Sequence, residues 1–532
     1  MIELVLSERD FDYELQALVN SFFPGQKSTV SVCQMKESLD REAVEQCLAH
    51  CINERNTESS LYIGIFLGMD RIVASLLCGE VWKLKEVAVS GGDWHKHEDK
   101  TAHPYRTYYK NELKRLLFLL LKELPEDVLL KEGVQKKNPV WGTMTGVRPT
   151  KIPMNELLQG KSREEVEQSL ETWYCCTEEK RNLCMEIALR EAELLKGVDF
   201  EEGFSLYIGI PFCPTTCLYC SFPSYPMERF GHLAEEYLKA LKKEIRAVAK
   251  QCAGRKLTSI YIGGGTPTAL TAGQLDELLA CVTDCFPAEG DCEFTVEAGR
   301  PDSITAGKLT VLRNYGVERI SVNPQTMQQR TLDLIGRRHS ADDTKRAFWM
   351  AREAGFTNIN MDLIIGLPQE TAVEFADTLK QIKELNPDSI TVHSLVIKRA
   401  SALRGLLEGR GDFLTEEKFR REQMEQMLVM AGEFAKKEGY FPYYMYRQKN
   451  SAGHFGSSGQ ENIGYAREGK ECLYNILIME EMQTIVAVGA GASTKRYHSD
   501  KKIVSRIENV KSITDYISRI DEMIERKTAI YG

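Results

Sequence analysis

The sequence lacks any long apolar run. None of its 532 residues belongs to a stretch approaching the roughly 20 apolar residues needed to cross a bilayer, and the strongest candidate, Leu116–Leu121, is much too short. The N-terminus also lacks the positive and apolar regions of a secretory signal, because Glu8, Asp10 and Asp12 come early. We therefore expect a cytoplasmic protein without a transmembrane segment.

The sequence also has fewer basic than acidic residues. Lysine and arginine number 68 against 77 aspartate and glutamate residues, which gives a formal net charge of -9. This balance argues against a broad electrostatic footprint for nucleic acid, so no nucleic-acid partner is predicted. The hydrophobic content of 43% is that of an ordinary folded protein with a sizeable core.

A disulfide framework is not indicated, although the chain contains 15 cysteines. They are spread over a long sequence without a secretory signal, which favours reduced thiols. The pairs Cys175–Cys176 and Cys281–Cys285 are predicted to be small buried apolar residues.

One N-terminal loop holds His95, His97 and His103, which could offer imidazole ligands to a metal. Charged residues flank these histidines on both sides. That surrounding charge favours an ordinary solvated loop over a metal site.

From about residue 204 to 396, short apolar or β-branched runs alternate with amphipathic stretches, the pattern of βα units around a parallel sheet. In the predicted helix Leu233–Val248, for example, Leu238, Leu241 and Ile245 recur on one face. The C-termini of such strands share one rim, where we expect the chemistry. The six predicted strands are Ser205–Ile210, Ser259–Ile262, Glu293–Val296, Arg319–Val322, Asn358–Ile365 and Ser389–Leu395.

The predicted fold class is α/β with three domains. Residues 1–200 would form an α+β accessory domain of unknown role. Residues 201–400 would form a partial (β/α)6 barrel, and residues 401–532 a mainly helical C-terminal domain.

Local signals support the two outer domains. The N-terminal one contains probable strands at Ser60–Leu67 and Ile72–Leu77 and a helical stretch near Thr107–Leu124. In the C-terminal one, Thr415 is predicted to cap a long helix that ends before Gly439.

Cys213, Cys217 and Cys220 lie within eight residues at the predicted end of the first barrel strand. Thiolates suit iron–sulfur clusters and zinc. A structural zinc site closes with four protein ligands, whereas a [4Fe–4S] cluster held by three cysteines leaves one iron open for a small molecule. The missing fourth ligand favours the cluster, with zinc as the alternative.

The Cys-x3-Cys-x2-Cys loop, with an aromatic residue before its last cysteine, resembles the radical S-adenosylmethionine (SAM) superfamily. Tyr207–Cys213, Gly263–Pro267 and Asp362–Pro368 together resemble the oxygen-independent coproporphyrinogen III oxidase family. Within that family, the long N-terminal extension and Tyr219–Pro223 resemble the coproporphyrinogen dehydrogenase HemZ type. The resemblance implies a [4Fe–4S] cluster and one or two SAM molecules. It also implies radical chemistry in which a hydrogen is taken from the substrate.

The resemblance implies particular site residues. The three cysteines of the loop would bind the cluster and carry the catalysis. A guanidinium suits a carboxylate, and an aspartate suits an ammonium group or ribose hydroxyls. The residues implied for SAM are Tyr207, Tyr219, Gly264, Gly265, Thr266, Glu297, Gln325, Arg337 and Asp362.

A tetrapyrrole substrate would need flat apolar surface and cations for its propionates. Tyr444, Arg447 and Lys449 offer both and are the candidate substrate residues. The alternative is a packed aromatic strand that carries exposed charges.

The implied activity is oxidative decarboxylation of coproporphyrinogen III propionates to vinyl groups, giving protoporphyrinogen IX in haem biosynthesis. It would need a reductant for the cluster and an external electron acceptor. The family pattern has a histidine where Gly209 stands and a cysteine where Phe222 stands. Because both departures flank the cluster loop, a haem-binding chaperone with a [4Fe–4S] cluster and a radical SAM methyltransferase acting on haem stay open.

Overall fold

The computed structural model describes residues 1–33, 41–55, 59–68, 70–89, 104–220, 222–287, 290, 292–397, 401–408, 413–448, 461–501, 503–528 and 530. They divide into two compact units, Met1–Glu186 with Arg447–Gln460 and Ile187–Tyr446 with Glu461–Gly532. The predicted domain boundaries near residues 200 and 400 stay predictions.

A five-stranded sheet forms the centre of the first unit. The elements up to residue 194 are β1 (Ile2–Leu6), α1 (Asp12–Phe22), β2 (Ser28–Val32), α2 (Arg41–Arg55), β3 (Leu61–Leu67), β4 (Arg71–Cys78), β5 (Val81–Ala88), α3 (Pro104–Lys122), α4 (Glu126–Lys131), α5 (Lys151–Leu158), α6 (Arg163–Gln168) and α7 (Glu178–Leu194). The strand order is β2-β1-β3-β4-β5. β1 pairs in parallel with β2 and β3, and β4 is antiparallel to both of its neighbours.

Helix α3 supplies much of the core of this unit. Tyr109, Leu113 and Leu117 recur every four residues on one face and are fully buried. They belong to the same apolar cluster as the inward residues of β1, β3 and β4. The helix and the two strands predicted for this region are therefore confirmed, with small shifts at their ends.

A long mixed sheet forms the centre of the second unit. Its strands are β6 (Phe204–Ile210), β9 (Leu257–Gly264), β10 (Glu293–Gly299), β11 (Arg319–Val322), β12 (Asn358–Ile365), β13 (Ser389–Ser394), β14 (Phe441–Arg447), β15 (Glu461–Ala466), β16 (Thr484–Val488), β17 (Ser493–His498) and β18 (Ile503–Glu508). Two short strands, β7 (Phe212–Cys213) and β8 (Tyr225–Pro226), pair with each other in a separate sheet. The helices of this unit are α8 (Met227–Phe230), α9 (Ala234–Gln251), α10 (Ala272–Cys285), α11 (Ala306–Asn314), α12 (Gln329–Leu334), α13 (Ala341–Glu353), α14 (Ala372–Leu385), α15 (Ala402–Glu408), α16 (Phe413–Lys437), α17 (Leu473–Glu480), α18 (Ile513–Ser518) and α19 (Ile520–Arg526).

The six predicted barrel strands are confirmed as β6 and β9–β13. They pair in parallel in chain order, as βα units require. The helices between them carry their own start signals: Thr271, Ser340 and Thr371 form capping boxes at α10, α13 and α14. The α/β class and the partial barrel are confirmed, and the C-terminal ends of the six strands lie at one rim.

The chain after residue 401 extends this sheet at both edges. β15 pairs antiparallel with β13 and is followed in the sheet by β14, while β16 pairs in parallel with β6. β17 and β18 continue beyond β16. The segment thus contributes five described strands besides its helices.

The long helix predicted in this segment is present, but its predicted start is wrong. A cap at Thr415 would start the helix at Glu416, whereas helix α16 begins three residues earlier at Phe413, so Thr415 lies inside it. The helix ends at Lys437, and Gly439 follows with a φ of +76°, as a helix-terminating glycine does.

None of the described helices has the length and apolar character needed to span a membrane. His95, His97 and His103 lie outside the described residues. The expectation of reduced thiols is wrong at one pair, because the end of β2 and the face of α2 bring Cys33 and Cys47 together as a disulfide.

Candidate functional site

The cysteine loop is anchored at the rim by backbone hydrogen bonds. Leu218 N–H donates to the Ile335 carbonyl at 3.1 Å, and Leu403 N–H donates to the Leu218 carbonyl at 3.0 Å. Leu218 and Tyr219 pack against a small apolar cluster that includes Ile335 and Leu403. Leu218, which lies between the second and third cysteines, therefore anchors the loop, in which Cys213 is buried and Cys217 and Cys220 are half-buried.

Polar groups from neighbouring strand ends contact the cysteine sulfurs. Thr266 Oγ1 donates to Cys213 Sγ at 3.7 Å, and Arg300 Nη1 donates to Cys217 Sγ at 3.8 Å. Arg300 is buried and also binds the Thr215 carbonyl at 3.0 Å and Asp302 at 2.6 Å. Such donors would stabilise the negative charge of cluster-bound thiolates.

The spacing of the three sulfurs fits a cluster better than a single ion. Among the residues that the structure describes, the three loop cysteines do not bring their sulfurs within 4.8 Å of one another, as one metal ion would require. A [4Fe–4S] cluster binds each thiolate to a different iron and needs the wider arrangement. Burial raises the pKa of the Cys213 and Cys220 thiols, so cluster binding at neutral pH would release their protons.

The glycine run at the end of β9 leaves room for its neighbours. A Cβ on Gly263 would lie 2.9 Å from the Glu297 carboxyl, and one on Gly265 would lie 2.6 Å from the Phe212 carbonyl oxygen. Gly264 has a φ of +108°, which disfavours any side chain there. The run therefore lets the β9 backbone pass close against the cluster loop, where Gly265 N–H donates to the Ile210 carbonyl at 2.7 Å.

Glu297 lies at the end of β10 with its carboxyl among buried groups. Tyr261 O–H donates to Glu297 Oε1 at 2.6 Å. Burial raises the pKa of Glu297 to about 7, in spite of hydrogen bonds from Tyr261 and the Gly264 amide. This carboxyl is thus poised to change its charge near neutral pH.

The pKa of Asp362, which lies on β12 two strands along the sheet from Glu297, shifts in the opposite direction. Although burial raises its pKa, His393 and Asn360 hold the pKa of Asp362 below its usual range. The Asn360 amide donates to it at 2.7 Å, and His393 Nε2 lies 3.8 Å away. Asp362 therefore keeps a negative charge at the barrel mouth, as binding of a cationic or hydroxyl-bearing group requires.

Gln325 lies next to Asp362, and Arg337 lies beside Cys217 and Tyr219 of the cluster loop. Gln325 has a φ of +68°, held by its N–H to the Asp362 carbonyl at 2.9 Å and its carbonyl to Ile364 N–H at 2.8 Å. Arg337 donates to the Asn323 carbonyl. Gln325 Oε1 and Arg337 Nε are buried and have no hydrogen-bond partner among the described residues. Such groups call for a polar ligand, so the residues fit a bound SAM.

The comparisons with known proteins agree with this site. The Radical SAM superfamily model matches residues 207–382. An oxygen-independent coproporphyrinogen-III oxidase-like protein, HemZ, from Bacillus subtilis (strain 168) is 40% identical over 402 residues, covering 74% of this chain and 77% of the relative. This chain belongs to the HemZ-like family of radical SAM proteins. Its cofactors are a [4Fe–4S] cluster and SAM.

Two further relatives of this HemZ-like chain carry different names. The heme chaperone HemW of the same Bacillus strain is 36% identical over 205 residues, 38% of this chain and 53% of HemW. The oxygen-independent coproporphyrinogen III oxidase of Escherichia coli (strain K12) is 38% identical over 192 residues, 36% of this chain and 42% of the oxidase. Membership of the HemZ-like family therefore establishes the cofactors but does not by itself establish the reaction.

Inside the HemZ-like barrel, three tyrosines stack below the rim. The rings of Tyr261 and Tyr474 lie 4.3 Å apart, and Tyr207 stacks on both at 6.3 and 6.1 Å. Glu293 holds Tyr474 in place by accepting the N–H groups of Leu473 and Tyr474 at the start of α17. The stack forms an apolar floor beneath Glu297.

A cavity of about 560 Å³ borders the cluster loop and is large enough for a small molecule. Of the residues predicted for SAM, it reaches Arg337. Its lining residues are Thr215, Thr216, Pro226, Glu228, Asp333, Gly336, Arg337 and Arg338.

The two departures from the family pattern have different surroundings. A Cβ on Gly209 would meet nothing closer than the Val488 carbonyl oxygen at 3.4 Å, so the backbone would accept a side chain there. Phe222 is 73% exposed, and its carbonyl accepts the Cys220 thiol. The fold thus does not require a glycine at position 209.

The candidate substrate residues do not form a described cluster as the predicted cluster ligands do. Tyr444 is buried, with its ring against Gly464. Arg447 donates to the Met144 carbonyl at 2.7 Å and lies over the Trp141 ring. Lys449 lies outside the described residues. Their contact with a substrate stays a prediction.

Sequence reasoning missed several residues of this site, notably Arg300, Tyr261 and His393. Tyr261 could have been found, because it precedes Gly263 by two residues on a strand and so faces the same way. No motif in the sequence around Arg300 or His393 marks either residue as part of a site. Their roles depend on contacts with residues far away in the sequence.

Proposed function

We propose that this protein oxidatively decarboxylates the propionates of coproporphyrinogen III to vinyl groups, giving protoporphyrinogen IX. The observation that carries the proposal is the pair of buried, unpartnered polar atoms at the barrel rim, Gln325 Oε1 and Arg337 Nε. They lie beside Asp362 and the cluster loop, where a ligand with carboxylate and amine groups would satisfy them. Buried polar atoms left without a partner lower stability, and a bound ligand would remove that penalty.

In this proposal, different residues of the rim bind different cofactors. Cys213, Cys217 and Cys220 would hold the cluster, and the Gly264–Thr266 segment with Glu297 would border the first SAM. Gln325, Arg337 and Asp362 would hold a second SAM. Tyr207 and Tyr219, one below the rim and one in the cluster loop, shield the ligands from water.

The bound cofactors supply the one-electron chemistry that removes a hydrogen from a propionate β-carbon. The carbon–carbon bond to the carboxylate then breaks and carbon dioxide leaves. Two of the electrons form the vinyl double bond, and the one left over passes to an external acceptor. A reductant must supply an electron to the cluster for each hydrogen removed.

A haem carrier is the second candidate. Gly209 and Phe222 favour it, because the residues that the oxidase pattern places beside the reactive centre are both missing. The likeness to a heme chaperone over 205 residues also supports it. On this alternative the same site would bind haem without turning it over.

The test is an anaerobic assay of the reconstituted full-length protein with SAM, dithionite and coproporphyrinogen III, with products separated by liquid chromatography and mass spectrometry. We expect vinyl-bearing porphyrinogens together with 5′-deoxyadenosine. Cys217→Ala should lose the cluster colour and both products. Cys285→Ser, at a half-buried helix position away from the loop, is the matched control and should keep them.

5′-Deoxyadenosine without a vinyl-bearing product would overturn the oxidase proposal and direct the search to another radical reaction. Tight haem binding by the wild type, with neither product formed, would favour the carrier. Unchanged iron content in Cys217→Ala would contradict the assignment of the cluster loop itself.

A further inference from the structure

We propose that Cys33, Cys47 and Cys51, in the first compact unit, form a thiolate site for Zn²⁺ when they are reduced. Among the described residues, these three are the group whose ligand atoms all lie within 4.8 Å of one another. The site belongs to a different unit from the cluster loop and does not depend on the proposed reaction.

Local structure explains why the three sulfurs meet. Cys47 and Cys51 are four residues apart on α2, so their side chains lie on the same face of the helix. Cys33 directly follows β2, and its N–H donates to the Leu6 carbonyl at 2.9 Å, which continues the pairing with β1. The strand end and the helix face are thus held opposite each other by regular secondary structure.

The distances fit one ion. Zinc–sulfur bonds of about 2.3 Å in a tetrahedron place two thiolate sulfurs about 3.8 Å apart. An upper limit of 4.8 Å for this group leaves only a small adjustment to reach that spacing. The cluster loop is different, because its sulfurs are spread too far for a single ion.

The surroundings favour a soft cation. Cys51 packs with Leu48 and Tyr62, and Cys47 packs beside Phe66 and Val73. All three cysteines are half-buried, so the sulfurs combine an apolar shell with access from solvent. Thiolates in such a setting prefer zinc to the hard cations magnesium and calcium.

The structure joins Cys33 to Cys47, and zinc can bind only after that bond is reduced. An external two-electron reductant such as a dithiol breaks the sulfur–sulfur bond and leaves two thiols after uptake of two protons. Zn²⁺ then displaces the protons of the three thiols, and water takes the fourth position. Oxidation of Cys33 and Cys47 reverses the process and releases the metal.

The experiment uses the full-length protein with its cluster reconstituted, reduced with a phosphine and titrated with Zn²⁺ against a chromogenic chelator. Iron is measured in the same samples to show that the cluster loop is filled. We expect about one zinc per chain, with binding weakened at least about tenfold in Cys33→Ser, Cys47→Ser and Cys51→Ser. Cys175→Ser, at another half-buried cysteine of the same unit, should bind zinc like the wild type.

Diamide oxidation should abolish zinc binding in the wild type, and the phosphine should restore it. Thermal unfolding followed by circular dichroism should show that zinc raises the Tm of the wild type and not that of Cys51→Ser. If Cys51→Ser unfolds at a lower temperature without zinc, Cys51→Ala is titrated in its place. Absence of zinc from the reduced wild type, or equal affinity in the Cys51 variant, would overturn the proposal.

Discussion

Two acidic residues at the barrel rim differ sharply in their readiness to lose a proton. Burial raises the pKa of Glu297 to about 7, whereas His393 and Asn360 hold that of Asp362 below its usual range against the effect of burial. At neutral pH Asp362 is therefore fully ionised, whereas Glu297 is only partly ionised. We therefore expect the charge of the site proposed for the first SAM, at Glu297, to depend on pH more than that of the site proposed for the second, at Asp362.

Glu297→Gln should remove a pH dependence of SAM binding. An ionised Glu297 attracts the ammonium group of the ligand, so wild-type affinity should fall as the pH drops below about 7, by at most about tenfold per unit. The amide does not titrate, so the variant should bind more weakly above pH 7 and show a flatter profile. Equilibrium binding of SAM between pH 6 and 8 measures both slopes, and parallel profiles would contradict the role given to Glu297.

The sequence supports some residue assignments better than others. The three cysteines and the glycine run stand out because their types and spacing are rare outside such sites. Arg300 could not be found in this way, since it contacts Thr215, 85 residues earlier in the chain. Only the folded barrel brings β10 against the cluster loop and gives that arginine its position.

At the scale of elements, the turn after β9 shows how closely backbone and cluster loop approach. Gly265 N–H donates to the Ile210 carbonyl at 2.7 Å, and Thr266 N–H donates to the Phe212 carbonyl at 2.7 Å. A side chain at Gly265 would enter the space between these groups. The turn thus acts as a rigid support for Cys213.

Gly265→Ala should therefore damage the cluster site. Its Cβ would lie 2.6 Å from the Phe212 carbonyl oxygen and 3.0 Å from Cys213 Sγ, so backbone must shift at a cost of about 1–3 kcal/mol. We expect less iron per chain after reconstitution and a lower Tm. Gly273→Ala, whose Cβ would meet nothing within 4 Å, is the control and should keep both values near those of the wild type. Full iron content in Gly265→Ala would argue against the tight turn.

A buried ion pair ties the C-terminal segment after α19 to helix α9. Lys527 Nζ donates to Glu244 Oε1 at 2.6 Å, and both side chains are fully buried. The other oxygen of Glu244 accepts the Gly489 N–H at 2.9 Å. Gly489 in turn lies close to Gly209. A Cβ added to Gly489 would lie 2.5 Å from the Gly209 carbonyl oxygen. The network therefore fixes the backbone at the end of β6.

Lys527→Met should lower the free energy of unfolding by about 3–5 kcal/mol, because it leaves the Glu244 carboxylate buried without its partner. Glu244→Gln combined with Lys527→Met should regain a large part of that loss, since no uncompensated charge remains. Urea unfolding followed by circular dichroism measures the difference. A double variant no more stable than Lys527→Met would show that the packing of Lys527, and not its charge, matters.

The sequence predicts strands better than it predicts helix starts. β11 and β12 have the predicted bounds, because each is a β-branched run closed by turn residues. The start of α16 was missed, since Thr415 has the right side chain for a cap but the helical backbone begins before it. Local capping preference is weak enough for the surrounding fold to override it.

At the scale of the whole molecule, strands from distant parts of the chain join one sheet. β16 lies beside β6 although almost 280 residues separate them in the sequence. β15 pairs with β13 although α16 lies between them in the sequence. Periodicity reveals the six βα units, because each is local. It cannot reveal which later strands extend the sheet, since pairing depends on edges that exist only after the barrel has formed.

The proposed conversion of propionates to vinyl groups at the rim of this HemZ-like protein is tested by the ratio of 5′-deoxyadenosine to vinyl groups formed from coproporphyrinogen III. The ratio is measured in anaerobic single-turnover reactions of the reconstituted protein. We expect one 5′-deoxyadenosine for each vinyl group, with both absent in Cys217→Ala. Formation of 5′-deoxyadenosine at the same rate with and without coproporphyrinogen III, and no vinyl product, would contradict the proposed conversion.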